Sequence, residues 1–169
     1  YDRYIKYTDE TGENEKTTVI HVNLNMDKEA YVDFESVDKF SFDMLVNKYN
    51  KLSSDFVPTD LINFPDKYCY EGTESGNSVM IDAFDKMATA LYNEKGLNIY
   101  ANSAYRSYQD QVDIYDRYLK AYGQNYVNNY VSKPGFSEHQ TGLCIDIKAG
   151  SGNTFAKTKE SDWLEDNAH

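Results

Sequence analysis

Residues Ser78–Lys95 carry apolar side chains at helical spacing: Val79, Ala83, Phe84, Met87, Ala88, Leu91 and Tyr92. That spacing makes one continuous apolar face, so the run is expected to be an amphipathic helix that packs on a core. Asn77 or Ser75 can cap its start, and Gly96 fits its end. Leu97–Ser103 then alternates apolar and polar residues, which is strand period. Ser107 is a good N-cap for a further helix to about Tyr122, with Asp110 in its first turn and Gly123 after it. Gln111 falls in the first turns of that helix, close in sequence to Arg106, which leaves the strand.

The remaining elements are shorter. Thr17–Leu24 has the β-branched content of a strand, and Ala30–Phe34 reads as a second strand, the two forming a hairpin. His21 then lies on a surface strand. Asp43–Lys51 reads as a short helix. Phe56–Leu61 is an extended connector, because Pro58 biases Val57 away from helix. Phe64–Asn77 reads as loop, 125–131 as a short helix, 149–153 as a Gly/Ser-rich loop and Lys159–His169 as a helix anchored by Trp163 and Leu164. Helices and strands interleave irregularly, without repeats or a phosphate-binding loop. The expected class is α+β: a small, mostly antiparallel sheet with flanking helices.

At 169 residues, with a 40% hydrophobic and 15% aromatic fraction, the chain can bury a core as one domain. The net charge of −11 argues against nucleic acid as a partner, since phosphates would be repelled, and against adsorption to anionic lipid. No apolar run approaches the length of a membrane span, and no signal peptide is visible. The chain opens at Tyr1 without methionine, which reads as part of a longer or processed protein. Cys69 and Cys144 either pair or stay as small packed thiols.

Most of the chemistry is concentrated in Pro134–Ile147, PGFSEHQTGLCIDI. Pro134-Gly135 marks a turn, and Gly142 permits a bend or a close backbone approach. Leu143, Ile145 and Ile147 alternate with Cys144 and Asp146, so Asp146 is expected on a strand whose other face is apolar. His139 offers a neutral nitrogen and Asp146 an anionic oxygen, a donor mix that zinc accepts. Most histidine–aspartate pairs seven positions apart are unrelated surface groups, so the spacing alone does not establish a metal site. Glu138, beside His139, reads as solvated. Arg106 is either half of a surface ion pair or a substrate grip at a strand-to-helix switch.

Two segments together, Ser103-Ala104-Tyr105-Arg106-Ser107 with Gln111, and Ser137-Glu138-His139 with Gly142 and Asp146-Ile147, resemble the VanY-type D-alanyl-D-alanine carboxypeptidases. These are zinc peptidases that trim the stem peptides of bacterial peptidoglycan. The likeness is close at both motifs and looser from about Leu45 onward. It implies a Hedgehog/DD-peptidase fold, with residues 1–40 as an N-terminal hairpin or extension and 41–169 as the catalytic domain. It further implies that His139 and Asp146 are zinc ligands, that Arg106 grips the peptide carbonyl or terminal carboxylate, and that Gln111 and Ser137 position substrate.

The expected activity is removal of a terminal D-alanine, D,D or L,D, by a monomer outside the cytoplasm, with the stem peptide as partner and no membrane contact. The family's third ligand, a His, and its general base, a Glu, belong to a Glu-x-x-His segment that does not occur in these 169 residues. His169 fits neither place. The chain is therefore expected to be truncated before that segment and inactive by itself. The alternative is a non-catalytic wall-binding or scaffold domain with a vestigial metal pocket.

Overall fold

The computed structural model describes residues 1–150 and 154–168. Two compact units form. The first holds Tyr1–Phe56 and Gln111–Ser137; the second holds Val57–Asp110 and the chain from Glu138 onward.

The first unit begins with two helices, α1 (Asp2–Thr11) and α2 (Glu15–Asn23). The strand expected over Thr17–Leu24 is therefore a helix, and the N-terminal β-hairpin does not form. Local capping outweighs β-branched propensity here. Asn14 Oδ1 accepts from the Thr17 amide, and Thr18 and Val22, four apart, are the residues α2 buries. Polar contacts join the pair: Thr8 Oγ1 lies 2.9 Å from Thr18 Oγ1. The Arg3 guanidinium forks onto Asp27 at 2.7 and 2.6 Å and also donates to the Val22 carbonyl. His21 sits on α2, its Nδ1 2.8 Å from Glu13 Oε2 and 3.3 Å from the Tyr7 hydroxyl.

Ala30–Phe34 is also not a strand. Tyr31 takes a left-handed conformation (φ 65°), and β1 (Glu35–Val37) follows, pairing in parallel with β2 (Asn50–Leu52). The helix expected over Asp43–Lys51 is replaced by a turn. Asn47 Oδ1 accepts from the Tyr49 amide and from Asn50 Nδ2, both at 2.9 Å, and the Asn47 and Asn50 backbones bond each other. An asparagine that satisfies turn amides competes directly with helix.

In the second unit, β3 (Leu61–Asn63) pairs antiparallel with β4 (Ser75–Asn77). The stretch expected as loop thus contains a strand, and also a 3-10 turn at Asp66–Tyr68. Helix α3 covers Ser78–Lys95, capped by Asn77 and closed by Gly96 at φ 65°, as the sequence predicts. Its inner face is Ile81, Phe84, Ala88 and Leu91; Val79 and Tyr92 point outward. Strand β5 (Ile99–Ser103) pairs antiparallel with β6 (Asp146–Ala149). The inner face of α3 packs with Phe64, Ile99, Ala101 and Trp163 in one core. Helix α4 (Tyr108–Tyr122) starts in the second unit and ends in the first, where α5 (Gln124–Tyr130) follows. Ser107 and Asp110 bond reciprocally at the start of α4, Asp110 N to Ser107 Oγ at 3.1 Å and Ser107 N to Asp110 Oδ2 at 3.0 Å.

The last helix, α6 (Lys159–Asn167), contributes Trp163 and Leu164 to the core of the second unit. The class is α+β with short, mostly antiparallel strands, arranged as three two-stranded ladders among the described residues rather than as one sheet. None of the described helices is long and apolar enough to cross a membrane.

Candidate active site

The register of β5 and β6 begins the site. Ala101 pairs with Ile147, an irregularity follows, and Ser103 pairs with Asp146. The strand therefore opens at Asp146. Leu143–Ile145 precede it as irregular chain rather than as the alternating strand expected, although Ile145 and Ile147 both pack on the core. The Asp146 side chain keeps 56% of its surface exposed, at the end of the ladder.

His139 arrives on a 3-10 turn, Glu138–Thr141. Thr141 holds that turn: its hydroxyl donates to the Glu138 carbonyl at 2.6 Å and accepts from the Leu143 amide at 3.0 Å. Gly142 follows at φ 71°, where a Cβ would stand 3.1 Å from Leu61 Cδ2 and 3.2 Å from Pro58 Cγ. Only glycine meets both demands without strain. The Gly142 carbonyl accepts from the Asn77 amide at 2.9 Å, so the residue that caps α3 also anchors the His139 turn.

The imidazole is nearly buried, with 12% of the side chain exposed. Its Nδ1 is 2.6 Å from the Ala104 carbonyl. A carbonyl only accepts, so Nδ1 carries a hydrogen, and in the neutral ring the lone pair then lies on Nε2. Nε2 points at Asp146 Oδ2, 3.4 Å away. Two donors each about 2.0–2.1 Å from a tetrahedral zinc stand roughly 3.4 Å apart, so the pair has the separation of two ligands of one ion. A backbone carbonyl on the far ring nitrogen is the usual device that orients a ligating histidine. By donor chemistry and spacing the two residues fit zinc. No group of three His, Cys, Asp or Glu able to hold a metal occurs among the described residues.

Arg106 is tied into the same segment. Its amide donates to the His139 carbonyl at 3.1 Å, and its Nη2 donates to Ser103 Oγ at 3.1 Å. Cys69 and Cys144 are free thiols. Burial, reinforced by Glu138 and Asp146, pushes the Cys144 thiol up to about 11, so it stays protonated at neutral pH and is a packed thiol. Gln111 and Ser137 belong to the first unit, and both are buried. There Gln111 Nε2 donates to the Ser132 carbonyl at 2.7 Å. Phe136, beside Ser137, is boxed edge-on by Tyr31 and Phe34, with Lys51 over its ring. His169 lies outside the described residues.

A family model for VanY, D-alanyl-D-alanine carboxypeptidase, matches residues 74–169. That stretch contains both motifs. The chain belongs to the VanY family. Among its relatives, Bacillus subtilis YodJ is 28% identical over 174 residues, an alignment covering 94% of this chain and 63% of YodJ. Of solved structures, the LdcB LD-carboxypeptidase, described for its peptidoglycan recognition, superposes with a TM-score of 0.71 at 31% identity. That match covers 83% of this chain and 69% of LdcB. The vancomycin-resistance D,D-pentapeptidase VanY of the VanB-type cassette, solved with Zn(II), gives 0.60 at 25% identity, covering 77% of this chain and 72% of that one. The chain thus spans somewhat under two thirds of the length of YodJ.

Sequence reasoning does not reach the Ala104 carbonyl, which no side-chain motif encodes. The only signal for it is that an imidazole held as a metal ligand needs a partner on its second nitrogen.

Proposed function

We propose that this VanY-family chain belongs to a zinc-dependent carboxypeptidase that removes a terminal D-alanine from peptidoglycan stem peptides outside the cytoplasm. One observation carries the reading: His139 directs Nε2 at the Asp146 carboxylate, 3.4 Å away, while its Nδ1 is engaged by the Ala104 carbonyl. His139 and Asp146 would hold the ion. The chemistry that zinc supplies when bound is polarisation of a carbonyl and a water pKa lowered to about 7.

The chain's own residues do the rest of what these motifs offer. Asp146 contributes the negative charge that offsets a cation. Arg106 supplies a planar two-pronged donor, suited to a peptide carbonyl or a terminal carboxylate. Gln111 and Ser137 are the proposed substrate-positioning groups. A third ligand and a proton acceptor are assigned to a Glu-x-x-His segment, which these 169 residues do not contain. The chain alone is therefore expected to bind zinc weakly and to turn over no substrate.

The test is D-alanine release by the product of the whole gene, supplied with zinc, from stem peptides ending in D-Ala-D-Ala and from tetrapeptides ending in one D-Ala. Release from either, abolished by His139→Ala, supports the proposal and assigns the bond. Release from neither would sink it. Retained binding to cell-wall material without release would favour the non-catalytic reading.

A further inference from the structure

Ala104 is the residue on which the imidazole depends, and its own peptide unit is gripped on the opposite side. The Ala104 amide donates to Glu74 Oε2 at 2.9 Å, while the Ala104 carbonyl accepts from His139 Nδ1 at 2.6 Å. The next residue repeats the pattern: the Tyr105 amide donates to the Ser75 carbonyl at 2.7 Å. Glu74 is itself fixed, because its carbonyl accepts from the Phe64 amide at 2.9 Å, just beyond β3. Ala104 is fully buried. Its amide therefore has no water to fall back on, and the carboxylate is its partner.

We infer that Glu74 is a positioning residue for the His139 imidazole, acting through the Ala104 backbone. The carboxylate aligns the main chain after β5 so that the Ala104 carbonyl faces Nδ1. A charged acceptor on the amide also polarises the peptide and strengthens the carbonyl as an acceptor. Both effects hold the ring in its Nδ1–H tautomer, with Nε2 directed at Asp146. Glu74 touches neither substrate nor metal in this role. The inference rests on the reading of His139 as a metal ligand.

The experiment uses the 169-residue chain and three substitutions of Glu74, with His139→Ala as a control. Glu74→Gln keeps an oxygen able to accept from the Ala104 amide. Glu74→Asp keeps the charge but is one methylene too short to reach it. Glu74→Ala removes both. The first readout is the ring-nitrogen NMR spectrum of neutral, metal-free His139. Wild type and Glu74→Gln should show the Nδ1–H tautomer, and Glu74→Asp and Glu74→Ala a mixture. The second is zinc titration: Glu74→Asp and Glu74→Ala should weaken binding about tenfold, the low end for an outer partner of a ligand, and Glu74→Gln about threefold or less.

If Glu74→Asp matches wild type in both readouts, the inference is overturned, even should Glu74→Ala not fold. If His139→Ala leaves zinc binding unchanged, the ligand reading fails instead, and the tautomer spectrum still decides the role of Glu74.

Discussion

His21 and His139 sit in regions built by opposite means. His21 belongs to the α1–α2 pair, where α1 buries no residue and α2 buries only Thr18 and Val22. Hydrogen bonds and the Arg3–Asp27 fork tie that pair together. His139 belongs to the region packed on α3, whose face of Ile81, Phe84, Ala88 and Leu91 is closed by Trp163 and Leu164. His21 spends its Nδ1 on a carboxylate and a phenol, which makes a structural contact. His139 spends its Nδ1 on a buried carbonyl and leaves Nε2 for Asp146. A metal-type donor needs a ring whose orientation is over-determined, and of the two regions the apolar one supplies that rigidity.

Substituting the core gives the largest expected effect. Leu91→Ala should cost about 3 kcal/mol in urea unfolding, since Leu91 is fully buried. Ile20→Ala, on the outer side of α2 at 48% exposure, should cost about 0.5 kcal/mol or less. Equal costs would break the contrast between the regions. The histidines come next. His139→Ala should lower zinc affinity beyond the roughly 100-fold upper range of outer-partner substitutions, while His21→Ala should leave it within about twofold. Comparable losses would remove the distinction on which the functional reading stands.

The cap of α4 is smaller. Ser107→Ala removes the hydroxyl that accepts from the Asp110 amide, leaves the Ser107 amide on Asp110 Oδ2, and should cost about 1 kcal/mol by thermal unfolding. The smallest effect lies in the polar pair. Arg3 holds the Asp27 carboxyl below the usual carboxylate range, chiefly by hydrogen bonding. The folded state then binds fewer protons than the unfolded chain as pH falls through that window. The stabilisation is complete above about pH 4, the unfolded value, and is lost as pH drops through the lower folded one. Arg3→Ala should therefore cost about 0.5–1 kcal/mol at pH 7, and the difference from wild type should shrink below about pH 4. A difference that grew on acidification would contradict this account.

Much of the second unit is legible in the sequence. Helix α3 is bounded on both sides because Asn77 and Gly96 act on amides and carbonyls within one turn of themselves. The same locality exposes the α4 start at Ser107 and the demand for glycine at 142. The first unit is less legible. Its β-branched residues speak for strand over Thr17–Leu24, although Asn14 caps a helix there. Of the site, residue types are legible but their relations are not. His139 and Asp146 are paired by motif, and their 3.4 Å separation comes from the β5–β6 register with its irregularity before Ser103.

Caps, helix faces, the turn at Pro134-Gly135 and the identity of the donors can all be read from the chain, because each is settled within a turn or two of itself. The partnership of groups far apart in sequence is a matter of tertiary packing alone. The Ala104 carbonyl and His139 are 35 residues apart, and Glu74 and the Ala104 amide 30. Bonds at such distances carry no periodic signal. They close only when the core brings the segments together, because the loop entropy they cost is offset by burial elsewhere.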